Sequence, residues 1–133
     1  MDRKEEILQL LQSNEESTFF TLLEGPPSDI DIMIEIFNEA KNIQVKANAV
    51  EYIWKRGIKR KDVYSLLDNA LMNENECLWQ QALDGLVSFS SDEALEILKK
   101  ALNNSGKKLD VNTFQKWINE AIDQITYKNE GLE

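Results

Sequence analysis

The chain has 133 residues, of which 42% are hydrophobic, and a mean hydropathy of −0.45. This suits one water-facing domain with its own core, and no run approaches the roughly 18 apolar residues that a membrane span needs. Acids number 24 and bases 15, a formal net charge of −9; histidine is absent, and a single cysteine, Cys77, excludes an internal disulfide and a cysteine-built zinc site.

Apolar residues recur at spacings of three and four, the helical period. A first helix is predicted over 2–12, with Ile7, Leu8, Leu10 and Leu11 inward. A short helix over 15–24 presents Phe19, Phe20, Leu22 and Leu23. It stops at Gly25-Pro26-Pro27, since proline cannot continue the hydrogen-bond ladder. Ser28 is then the expected cap of a helix over 28–41, with acids in its first turn. Further helices are predicted over 43–56, ending at Gly57, over 62–73 and over 75–89. Ser91 is the expected cap of a helix over 91–103, which stops in Asn103-Asn104-Ser105-Gly106, and the last helix runs over 111–128 into a polar tail. No segment pairs strand alternation with hairpin turns.

Charge is unevenly spread. Residues 1–39 hold ten acids and two bases, or −8, and residues 40–133 hold fourteen acids and thirteen bases, or −1. A field of that sign repels phosphate backbones, so no direct nucleic-acid binding is expected, and it favours cationic partners. The bases cluster at Lys55–Lys61 and at Lys99, Lys100, Lys107 and Lys108. Both groups fall where helices are predicted to end, where they complement the helix dipole.

Two stripes repeat along the chain. Val45-x3-Ala49-Val50-x2-Ile53 becomes Leu78-x3-Ala82-Leu83-x2-Leu86 and then Trp117-x3-Ala121-Ile122-x2-Ile125. Between them, Ile34-x-Ile36-Phe37-x2-Ala40 becomes Tyr64-x-Leu66-Leu67-x2-Ala70 and then Leu95-x-Ile97-Leu98-x2-Ala101. A small alanine at one fixed place lets a neighbouring helix approach closely, and alternating stripes predict stacked antiparallel pairs. An up-and-down bundle shows such stripes too, but the alanines keep register three times.

The segment Leu78-Trp79-Gln80-Gln81-Ala82-Leu83-x2-Leu86, followed by Asp92-Glu93-Ala94-Leu95-x-Ile97-Leu98-x2-Ala101-Leu102, resembles HEAT-type repeats. Lys46 matches the basic position common on the first helix of such repeats; Trp79 in the next unit does not. The resemblance covers about 28–128. It implies an all-α fold, an alpha-alpha superhelix of about eight antiparallel helices in one domain over 1–133. Residues 1–27 would form N-terminal capping helices, 28–128 the repeat body and 129–133 a tail. Such motifs specify architecture and hardly touch function.

Catalysis lacks its usual parts. Cys77 has no histidine beside it and is expected to be packed; Glu74 with Glu76 and Asp92 with Glu93 read as solvation and dipole pairing; no glycine-rich loop precedes a helix. No enzyme, cofactor or metal is expected. Binding has better candidates. Asp31, Glu35 and Glu39 form the wet strip of an otherwise apolar helix, with nothing basic on that helix before Lys41. Glu51, Asp84 and Asp123 follow the same Ala-apolar pair in three helices, so stacking would place them in line. Trp54 and Trp79 flank their stripes and are expected to be partly exposed, while Trp117 is expected in the core.

In size, acidity and absence of catalytic groups the chain resembles the compact helical immunity proteins of bacterial toxin systems. That resemblance implies a cytoplasmic, non-catalytic protein that binds a basic toxin domain, with no membrane attachment. The expected contact residues are Asp31, Glu35, Glu39, Glu51, Trp54, Trp79 and Asp84. The alternative is an adaptor or scaffold that grips a peptide or another protein.

Overall fold

Helix-starting side chains define most of the element boundaries. The computed structural model describes residues 2–13, 21–104 and 110–129. Its helices are α1 (Arg3–Gln12), α2 (Asp29–Glu39), α3 (Ile43–Lys55), α4 (Lys61–Leu71), α5 (Glu76–Phe89), α6 (Asp92–Asn103) and α7 (Val111–Asn129), with a helical turn at 21–23. The described residues are all-α and contain no strand. Orphan N–H groups are met by side-chain oxygens of Asp2 on Glu5 (2.8 Å), Asn42 on Val45 (3.1 Å), Asn75 on Leu78 (3.3 Å), Ser91 on Ala94 (3.2 Å) and Asp110 on Thr113 (3.1 Å).

Ser28 departs from expectation. Its backbone is already helical and its side chain caps nothing. The Pro26-Pro27 turn starts α2 instead, its carbonyls accepting from Asp29 N (3.0 Å) and Ile30 N (3.2 Å). Asp29 is thereby turned inward. It is buried, and Arg3 holds it with a two-pronged pair, Nε to Oδ1 at 3.1 Å and Nη2 to Oδ2 at 2.6 Å. The predicted short helix over 15–24 lies partly outside the described residues, as do Phe19, Phe20 and residues 105–109 and 130–133.

The alanine register places these small residues inside. Ala49, Ala82, Ala121, Ala70 and Ala101 are buried, and only Ala40 is half-buried. α3 packs on α1 and α5, and α5 on α7; α4 packs on α6; and each helix packs on the one that follows it. The principal partners of every helix therefore lie one or two places away along the chain. One layer holds α1, α3, α5 and α7. A second holds α2, α4 and α6. The core between them is built from Ile30, Met33, Val50, Ile53, Leu67, Leu71, Leu86 and Leu98, all essentially water-free.

Gly85 sets the closest approach. A Cβ there would stand 2.8 Å from both Cβ and Cγ of Trp54. The missing side chain is what lets the indole of α3 lie across α5.

Candidate functional site

The face made by α3, α5 and α7 gathers three of the expected contact residues, Glu51, Trp54 and Asp84. On α3, Glu51 and Trp54 are one turn apart and share a side. Trp54 Nε1 donates to Gln81 Oε1 (3.1 Å), and Gln81 Nε2 donates to Glu51 Oε2 (3.1 Å). Lys55 closes the other side of Glu51 with an ion pair at 3.2 Å and stands 5.6 Å from the centre of the Trp54 ring. Gln81 is thus a bridge between neighbouring helices of one layer that no pattern of apolar residues marks. Asp84 follows one turn later on α5. Its carboxyl is raised above the ordinary aspartate range, first by desolvation among its neighbours and then by the negative charge of Glu51. Glu51 thus stands near enough for its charge to act on Asp84.

Beyond Asp84 a groove opens between α5 and α7. A cavity of about 130 Å³ is bounded by Leu83, Asp84, Val87, Trp117, Glu120, Ala121 and Gln124. A second, of about 470 Å³, is bounded by Val87, Ser90, Asp123, Gln124, Tyr127 and Lys128. They share Val87 and Gln124 and so form one trough. Two aromatic rings stand open beside it, Trp117 at 42% and Tyr127 at 57% exposure. Asp84, Glu120 and Asp123 have no ion-pair partner among the described residues.

Two tryptophans exchange the places expected of them. Trp79, expected to be partly exposed, is buried at 5% exposure, its ring edge-on to Phe114 at 5.2 Å and 87°. Trp117, expected in the core, lies open. The reason is position in the stack. α5 has neighbours on both sides within its layer, α3 and α7, so even the edge of its stripe is covered. Among the described residues α7 has α5 on one side only, and the edge of its stripe is open. Trp54 is half-buried, as expected. Cys77, expected to be packed, is exposed in the first turn of α5.

The acidic strip of α2 is on the surface but is not bare. Lys4 of α1 bridges Glu35 (2.8 Å) and Glu39 (2.7 Å), and Arg60 bridges Asp31 (2.7 Å) and Asp62 (2.6 Å). Both cations are held more firmly in their charged form by these bonds, Lys4 through Glu35 and Glu39, Arg60 through Asp62 and Asp31. The relief that α2 lacks within itself comes from other elements. An ammonium group already sits where a cation would bridge Glu35 and Glu39. The strip of Asp31, Glu35 and Glu39 is therefore a different surface from that of Glu51, Trp54 and Asp84, and the two differ in how much of their charge is balanced.

No helix among the described residues is long and apolar enough to cross a membrane. The chain matches no protein-family model, no curated protein and no solved structure.

Proposed function

We propose that this is a non-catalytic binding module of HEAT-like stacked architecture, and that it works as a cytoplasmic immunity protein that neutralises a cationic toxin domain by direct contact. The observation that carries the reading is the trough between α5 and α7, where Asp84, Glu120 and Asp123 carry unbalanced charge beside open Trp117 and Tyr127. Aromatic rings in the open are the side chains that anchor protein interfaces, and surrounding acids speed and orient encounter with a basic partner. Packing of each helix on its successor, together with the pairs α1–α3, α3–α5, α4–α6 and α5–α7, supports the stacked architecture over a closed bundle. Glu51 and Trp54 extend the contact face along α3. The strip of Asp31, Glu35 and Glu39 contributes long-range attraction more than contact, since Lys4 and Arg60 occupy it.

Copurification from cells with mass spectrometry tests this. The expected outcome is one basic protein in stoichiometric amount, whose toxicity or enzymatic activity the purified chain suppresses. Several weakly held partners with no such activity would favour an adaptor instead. Turnover of a substrate by the chain alone would overturn the reading.

A further inference from the structure

We infer that the trough between α5 and α7 receives a single amphipathic helix of the partner, presenting leucine-like side chains to Trp117 and Tyr127 and lysine or arginine to Asp84, Glu120 and Asp123. This rests on the reading of the chain as a binder of a cationic protein, and it names the part of that protein that is gripped.

The argument starts from backbone hydrogen bonds. Both walls of the trough are helices whose N–H and C=O groups are spent within themselves, so no edge is offered to an extended strand. A segment entering an apolar trough must satisfy its own backbone, and a helix does so. Length agrees: from Trp117 to Tyr127 is ten residues of α7, about 15 Å or nearly three helical turns. The floor is apolar where Val87 joins the two cavities, and the rim is acidic at three places with one base, Lys128, at the far end. That is an apolar stripe flanked by negative charge, the complement of an amphipathic helix with a basic flank. A second copy of this chain is disfavoured by the same charges, since it would bring acid to acid in a protein of net −9.

The test uses the full chain and a labelled peptide of about fifteen residues, long enough for a marginal helix. The peptide has leucine at i, i+3, i+4 and i+7 and lysine elsewhere. Two control peptides replace lysine by glutamate, or leucine by serine. At low salt the leucine–lysine peptide should bind and gain helicity. Both controls should bind at least about tenfold more weakly, as should the original peptide to Trp117→Ala, Tyr127→Ala or Gln124→Lys. Gln124→Lys leaves both aromatic rings in place, so it guards against a folding artefact in the others. Equal binding of the serine peptide, or unchanged affinity in all three variants, would overturn the inference. The copurified partner separates this from the broader reading. If Asp84→Asn/Glu120→Gln/Asp123→Asn releases the partner while Trp117→Ala and Tyr127→Ala do not, the helix-in-trough inference falls and the cationic-partner reading stands. If no variant on this face releases it, both fall.

Discussion

Gly85 and Asp29 are single positions at which one atom group fixes the geometry around it. Alanine is a better helix former than glycine by about 1 kcal/mol, yet Gly85→Ala pushes a methyl onto the Cβ of Trp54, an atom that cannot swing aside. With overpacking costs of about 1–3 kcal/mol, the variant should lose about 1 kcal/mol net in urea unfolding, with a shift in indole fluorescence as Trp54 moves. Arg3→Ala leaves the buried Asp29 carboxylate without its guanidinium and should cost about 1–3 kcal/mol, part of it recovered when Asp29→Asn is added. Asp84 makes the opposite kind of statement. Its carboxyl is raised in the folded chain, so the folded state holds its proton more tightly than the unfolded one. Its contribution is neutral at pH values below the ordinary aspartate range, becomes destabilising as pH rises from that range towards the raised value, and stays constant above it. Asp84→Asn should therefore be slightly more stable than the parent at pH 7, by under about 0.5 kcal/mol after solvent screening, and equal to it in acid. Denaturant midpoints at the two pH values check this.

Of the helix starts marked by a capping side chain, Ser91 was singled out from the sequence and Asn42, Asn75 and Asp110 were passed over. Asn42, Asn75, Ser91 and Asp110 stand one residue before the first turn of α3, α5, α6 and α7, and each accepts the N–H that such a residue should. Ser28 was misleading because the Pro26-Pro27 turn had already begun the helix. The inward and outward sides of each helix follow from periodicity, but the width of the covered stripe does not, because that depends on how many neighbours a helix has. Trp79 and Trp117 measure the difference. Trp79→Ala should cost about 3–5 kcal/mol, the range for a fully buried large side chain, while Trp117→Ala should cost less than half of that. Comparable losses in thermal or urea melts would mean that the end of the stack is covered as well as its middle. Gln81, which joins Trp54 to Glu51, left no trace in the pattern. A polar residue on a helix flank reads as solvated until the helix beside it is known.

For the whole molecule, the short range of packing along the chain has a dynamic counterpart. Among the described residues, α3 and α5 are enclosed on both sides within their layer, and α1 and α7 are not. Amide hydrogen exchange should be slowest in α3 and α5 and fastest in α1 and α7, a graded profile expected when each helix leans only on near neighbours. Uniform protection across all helices would point instead to one all-or-none core. The charge count along the chain was a poorer guide at this scale. It assigns nearly all the excess to residues 1–39, yet Asp29, Asp31, Glu35 and Glu39 all carry basic partners, some from distant elements. The acids left unbalanced beside the trough belong to a stretch whose sum is close to zero. A linear sum cannot see which charges the fold brings together.

The open position of Cys77 gives this molecule a built-in ruler. It is the sole thiol, it is exposed, and ten residues of the same helix separate it from Val87 in the trough, a span of about 15 Å. A maleimide dye placed there needs no engineered residue. Paired with a quencher on one or the other tip of a bound peptide, it would reveal in which direction the guest lies.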